Sequence, residues 1–268
     1  MPVLEQLLVI TLSGLYTCLW GAFKDSPYED FKPITFWRSV LFSWGIWGAF
    51  SYVLPTLSFF GELNHVQLFF FVMGIERFLA ELYKGFFRVE DQSKYFIPSR
   101  VTFFGKPVRS EWVRIPVGIL FVSLTMATSY LPKEIHSLLG FFLVAYLSGL
   151  FVSFGGAYKD APFEGFAPLK FQRSGVVLAL TAPYFWLYGS LPLGILIFMN
   201  GGLERFLVEY YKTYIKRNMS GKFRNDLKIF ENRKASREKF HILAWVIILI
   251  LAAKSIQLYM NRPEALVF

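Results

Sequence analysis

The sequence predicts an all-α integral membrane protein of about eight transmembrane helices, built by direct (parallel) duplication of a four-helix unit, and three observations carry that expectation. The chain is 54% hydrophobic and 19% aromatic, with 31 phenylalanines in 268 residues, too apolar for a soluble domain of this length. Hydrophobic stretches able to cross about 30 Å of hydrocarbon recur near residues 4–23, 36–54, 63–83, 113–131, 136–158, 171–188, 192–211 and 240–259. Finally, residues 12–39 and 147–174 match at 15 of 28 positions at a constant offset of 135.

The matched segments run into the same charged string, Gly21-Ala22-Phe23-Lys24-Asp25-Ser26-Pro27-Tyr28-Glu29 in one copy and Gly156-Ala157-Tyr158-Lys159-Asp160-Ala161-Pro162-Phe163-Glu164 in the other. Phe31, Pro33, Phe36, Arg38 and Ser39 then recur as Phe166, Pro168, Phe171, Arg173 and Ser174. A second block, Gly74-Ile75-Glu76-Arg77-Phe78-Leu79, returns as Gly202-Leu203-Glu204-Arg205-Phe206-Leu207 at offset 128. The repeat therefore divides the chain into 1–134 and 135–268, each a four-helix unit. An even number of spans keeps both copies in one orientation, so a pseudo-twofold axis along the membrane normal should relate them. The two charged strings should then face each other across it.

Taken in order, the first span carries Glu5 and lacks both a basic n-region and a small-residue cleavage site, so it reads as structure rather than as a signal peptide. The second opens at Arg38 and the third ends in the Glu-Arg block. Pro183, Gly189 and Pro192 interrupt the sixth and seventh spans. Loops 85–111 and 213–238 are basic and are expected to hold short amphipathic helices on the leaflet. All but Lys133, Lys254 and Arg262 of the 28 Lys and Arg residues lie on the face that holds the motifs. That excess assigns this face to the cytoplasm and both termini to the outside. The formal charge of +9 then reads as attraction to the lipids of an anionic leaflet, not to nucleic acid. A single Cys18 excludes disulfides and cysteine-rich metal sites, and His65, His136 and His241 have no ligand spacing.

The charged strings support two readings. In the structural one, Ser26 caps a short helix with Pro27 at its first position, Asp160 does so in the second copy, and Arg77, Glu81 and Lys84 pair along one helix face at i, i+4, i+7 spacing. The balanced layer then needs no ligand. In the functional one, Asp25, Glu29, Asp160 and Glu164 are catalytic carboxylates and hard oxygen ligands for Mg²⁺. Lys24, Lys159, Arg38 and Arg173 hold phosphate oxygens, Ser39 and Ser174 add hydrogen bonds, and Glu76, Arg77, Glu204 and Arg205 complete the substrate-binding layer. Charged groups near hydrocarbon are costly, about 2.5–3.5 kcal/mol each at a span centre and less at the interface, which favours a role beyond capping. Gly155, Gly165 and Ala167 replace Trp20, Asp30 and Lys32, so the second half should be the roomier one.

Asp25-x-x-x-Glu29 and Asp160-x-x-x-Glu164, each at the cytoplasmic end of a span and four crossings apart, resemble the two Asp-rich motifs of UbiA-type intramembrane prenyltransferases. The resemblance implies an all-helical bundle, Mg²⁺, and transfer of a polyprenyl group from its diphosphate. The Pro-x-Glu element is also similar to the motif of heterodimeric-type lycopene cyclases, which come as small repeats. The expected function is a membrane-embedded enzyme acting on a phosphorylated lipid or isoprenoid at the cytoplasmic face. A non-catalytic membrane subunit of a larger complex, with protein partners, and a transporter are the alternatives; few polar residues lie deep in the spans, which counts against a transport path.

Overall fold

In the computed structural model the described residues are 1–29, 31–53, 62–89, 95–217 and 234–261. The fold is all-α. Its helices are α1 (Val3–Glu29), α2 (Pro33–Phe36), α3 (Arg38–Gly48), α4 (His65–Leu82), α5 (Glu111–Ser129), α6 (Leu138–Glu164), α7 (Pro168–Thr181), α8 (Leu193–Tyr210) and α9 (Lys234–Met260). Four of them, α1, α5, α6 and α9, are long and apolar enough to cross a membrane.

Local chemistry explains where the helices begin and end. Asn64 opens α4 by accepting from the amides of Val66 and Gln67, while the Gln67 side chain accepts from the Asn64 amide, a closed capping box. Ser137 accepts from Gly140 at the start of α6. Gly165, at φ +80°, ends α6 in a conformation that L side chains avoid. The break expected at Pro183 is present: α7 stops at Thr181 and tightens into a 3-10 turn, Ala182–Tyr188, because proline has no amide to continue the ladder.

Two expectations fail locally. Pro27 and Pro162 start no helix. The helices α1 and α6 run through them to Glu29 and Glu164, so Asp160 is an interior residue near a helix end and not a cap, while the Ser26 side chain lies outside the described residues. No amphipathic helix occupies the described part of loop 85–111. There the chain leaves α4 through a π-helical turn, Tyr83–Phe87, and makes a hairpin of β1 (Thr102–Phe103) with β2 (Lys106–Pro107). Most of loop 213–238 lies outside the described residues; the end of α8 passes into a matching π-helical turn, Tyr211–Ile215.

The core is the pair α4 and α8. Val66 through Glu76 are all buried in α4, as are most residues from Gly194 to Arg205 in α8. Helix α1 packs on α3, α4 and α9, and α6 on α7 and α8. Glycines set the closest approaches: a Cβ on Gly14 would lie 2.7 Å from the Val40 Cα, and one on Gly149 2.6 Å from the Gly175 Cα. Gly14 and Gly149 are matched positions, so the α1–α3 and α6–α7 contacts are the same contact made twice. Outer helices instead turn apolar side chains outward, Trp112, Leu139, Phe151 and Leu249 among them, as a lipid-facing surface does.

Candidate functional site

The charged layer is organised by how closely α4 and α8 cross. A Cβ on Gly74 would penetrate the carbonyl of Phe198, and one on Gly202 would penetrate the carbonyl of Phe70. Small residues allow such backbone contact between apolar helices. Both members of each collision are matched positions, Gly74 with Gly202 and Phe70 with Phe198. The contact is therefore reciprocal.

Half a turn further, the Glu-Arg dipeptides meet across the crossing. Arg205 pairs with Glu76, and Arg77 pairs with Glu204. Glu76, Glu204 and Arg205 are almost fully buried, where a charge is tolerated only if paired and hydrogen-bonded. Ser174 of α7 donates to the remaining Glu204 oxygen at 2.6 Å, and Arg77 also donates to the Gly201 carbonyl at 3.4 Å. A second exchange brackets the first. Lys24 of α1 reaches Glu209 of α8 at 3.3 Å, and its copy Lys159 lies within electrostatic range of Glu81, the copy of Glu209.

Arg77 thus leaves its own helix face, contrary to the expected pairing with Glu81. Glu81 takes Lys84 at 2.9 Å and Glu209 takes Lys212 at 3.6 Å, leaving the arginines to cross. The copies differ at Trp20. Trp20 lies under both Lys24, at 5.0 Å, and Arg205, at 5.2 Å, whereas its counterpart Gly155 faces open space.

Among the described residues no ion pair or hydrogen bond joins the two strings. Asp25 and Asp160 are half-buried on α1 and α6, with α4 and α8 between those helices, and Glu164 pairs with Lys170 at 2.8 Å. The Glu29 side chain lies outside the described residues. Among the described residues no three His, Cys, Asp or Glu side chains gather as metal ligands.

Arg38, the first residue of α3, and its match Arg173, in the second turn of α7, stand apart from these ion pairs. Neither forms an ion pair with a described carboxylate, and the Arg173 Nε is buried with no hydrogen-bond partner among the described residues. Ser39 is buried beside Arg38. From Arg38 a cavity of about 610 Å³ runs along α3, lined by Leu41, Phe42, Gly45, Ile46 and Phe50, with Leu79 of α4 and Met126 of α5 opposite. At this place the second half carries the larger residues, Leu180 and Tyr184 standing 135 positions after Gly45 and Ala49.

Sequence reasoning missed the serine and tyrosine contacts that tie α1 to the centre. Ser13 donates to the Phe69 carbonyl at 3.0 Å and Tyr16 to the Phe206 carbonyl at 3.3 Å. The repeat carried a signal for the first, since Ser13 recurs as Ser148, which accepts from Asn200 at 3.4 Å. The chain matches no family model, no curated protein and no solved structure.

Proposed function

We propose that the chain is a multi-pass membrane protein of eight spans, two four-helix repeats about an axis along the membrane normal, which holds a phosphorylated lipid or isoprenoid at its cytoplasmic boundary. The observation that carries the ligand is the division among the basic groups. Arg77, Arg205 and Lys24 are consumed by carboxylates of the opposite repeat, while Arg38 and Arg173 are not. A guanidinium presents a planar fork of donors that suits phosphate oxygens. The cavity headed by Arg38 supports an amphiphile rather than a free anion.

The reciprocal Glu-Arg exchange favours a second reading, a non-catalytic membrane subunit in which the layer only locks two repeats together. The two readings separate on Arg38 and Arg173, which the lock does not use. In detergent, the Arg38→Gln, Arg173→Gln double variant should co-purify with several-fold less anionic phospholipid than the native chain, at unchanged melting temperature. Equal lipid content would leave the scaffold reading standing alone. Topology is tested separately. Cysteines placed at Asn232 and Lys133 should be labelled by an impermeant reagent from opposite sides, Lys133 from outside.

A further inference from the structure

From the cavity beneath Arg38 we infer that the first repeat has a lateral slot for one hydrocarbon chain of a phosphate-bearing bilayer lipid, headgroup on Arg38 and chain along α3, and that Gly45 sets which chains enter. The inference rests on the proposed anion-binding role of Arg38 and adds the place, length and chain count of the ligand.

Dimensions support it. The cavity extends from Arg38 to Phe50, about 18 Å at the helical rise of 1.5 Å per residue. One leaflet of a bilayer is about 15 Å of hydrocarbon, half of the usual 30 Å. A chain whose headgroup sits at the boundary is therefore covered along its whole length. The volume of about 610 Å³ lies within the range of small-molecule sites, about 300–1,000 Å³.

Chemistry narrows the occupant. Below Arg38 and Thr35 the walls are apolar, and Ile34, Leu41 and Phe42 at the rim are exposed, so the slot opens sideways, where only lipid can enter under the proposed topology. Arg38 at one end supplies charge complementarity for an anionic headgroup, and Ala49 and Phe50 line the other. Helix α3 keeps the slot clear through Gly45, on which a Cβ would meet nothing within 4 Å. In α7 the equivalent residue is Leu180.

Native mass spectrometry of the full chain in detergent tests this, with palmitoyl lysophosphatidic acid as probe and palmitoyl lysophosphatidylcholine as a control with the same chain. The native chain should retain one lysophosphatidic acid in preference to the control. Gly45→Leu should lower retention at least tenfold with the melting temperature unchanged, since the new side chain has room. Arg38→Gln should reduce retention to the level of the control lipid. If Gly45→Leu fails to fold, Met126→Trp fills the slot from α5 and carries the same expectation. Native-like retention by Gly45→Leu, or by Met126→Trp in its place, would overturn the slot. If Arg38→Gln and Arg173→Gln still lose lipid in that case, the arginine reading survives without it; if neither loses any, both fall.

Discussion

Helices α3 and α7 derive from one segment, enter their repeats through the same Pro-x-x-Phe-x-Arg-Ser sequence, and press on α1 and α6 at matched glycines, yet they treat their outer faces differently. Inward, Ser39 and Ser174 are both buried. Outward, α3 has Gly45 and is followed by Ala49 beside a cavity, while α7 has Leu180 and breaks into a 3-10 turn that holds Tyr184. The inner faces are held alike because each packs on a matched glycine of its own repeat, where an added Cβ would collide with backbone. The outer faces meet no such constraint. Past the Arg-Ser pair the two helices share no residue at matched positions, and the cavity lies beside the one that carries Gly45.

The largest effects should come from the shared lock. Removing one partner of a buried ion pair leaves an uncompensated charge and costs about 3–5 kcal/mol. Glu76→Gln strands Arg205, so purified protein should unfold at markedly lower denaturant or temperature. The two exchanges are not equally buried: side-chain exposures are 6% and 4% for Arg205–Glu76 but 21% and 3% for Arg77–Glu204. Arg205→Met should therefore destabilise more than Arg77→Met. The reverse order would mean that the symmetry of the crossing is lost in solution.

Next comes the helix approach beneath the lock. Alanine at Gly74 or at Gly202 forces a Cβ into the Phe198 or Phe70 carbonyl, and overpacking of this kind costs about 1–3 kcal/mol. The two substitutions should have equal effects, read as paired drops in melting temperature. A difference between them beyond about 1 kcal/mol would show that the two halves of the crossing relax differently.

How much of this was legible in the sequence follows from which forces act locally. The duplication and the all-helical character could be read from matched residues and hydrophobic run lengths. The lock could be read only in part. Spacing along one helix assigned Arg77 to Glu81, because i, i+4 geometry is visible in sequence; its actual partner Glu204 depends on a crossing that Gly74 and Gly202 permit. The clue lay in the matched Gly-x-Glu-Arg block itself. Pro27 and Pro162 pointed to helix starts because proline is usual there, yet both lie in the final turn of long helices. The slot was not legible, since it depends on Met126 of α5 and Leu79 of α4 standing opposite Gly45.

A smaller effect should follow from moving the slot between copies. Leu180→Gly with Tyr184→Ala gives the second copy the small residues that the first has at Gly45 and Ala49. If the outer face alone decides, lysophosphatidic acid retention should rise from one to two per chain, headed by Arg173. Retention unchanged at one would show that Met126 and Leu79, not the helix face alone, make the slot.

The smallest effect concerns Trp20, whose counterpart Gly155 makes the second half the roomier one in sequence. Trp20, however, lies under Lys24 and Arg205, and a cation over an indole contributes about 0.5–1 kcal/mol when exposed and about 2 kcal/mol when desolvated. Gly155 is exposed with open space around it, and surface changes away from special features stay within about 0.5 kcal/mol. Trp20→Leu should thus lower stability by about 1–2 kcal/mol and Gly155→Trp by little. A double-mutant cycle isolates the cause: in a Lys24→Met background the loss from Trp20→Leu should shrink but persist, because Arg205 still rests on the ring. A loss identical in both backgrounds would assign the effect to packing alone and remove the lysine from the comparison.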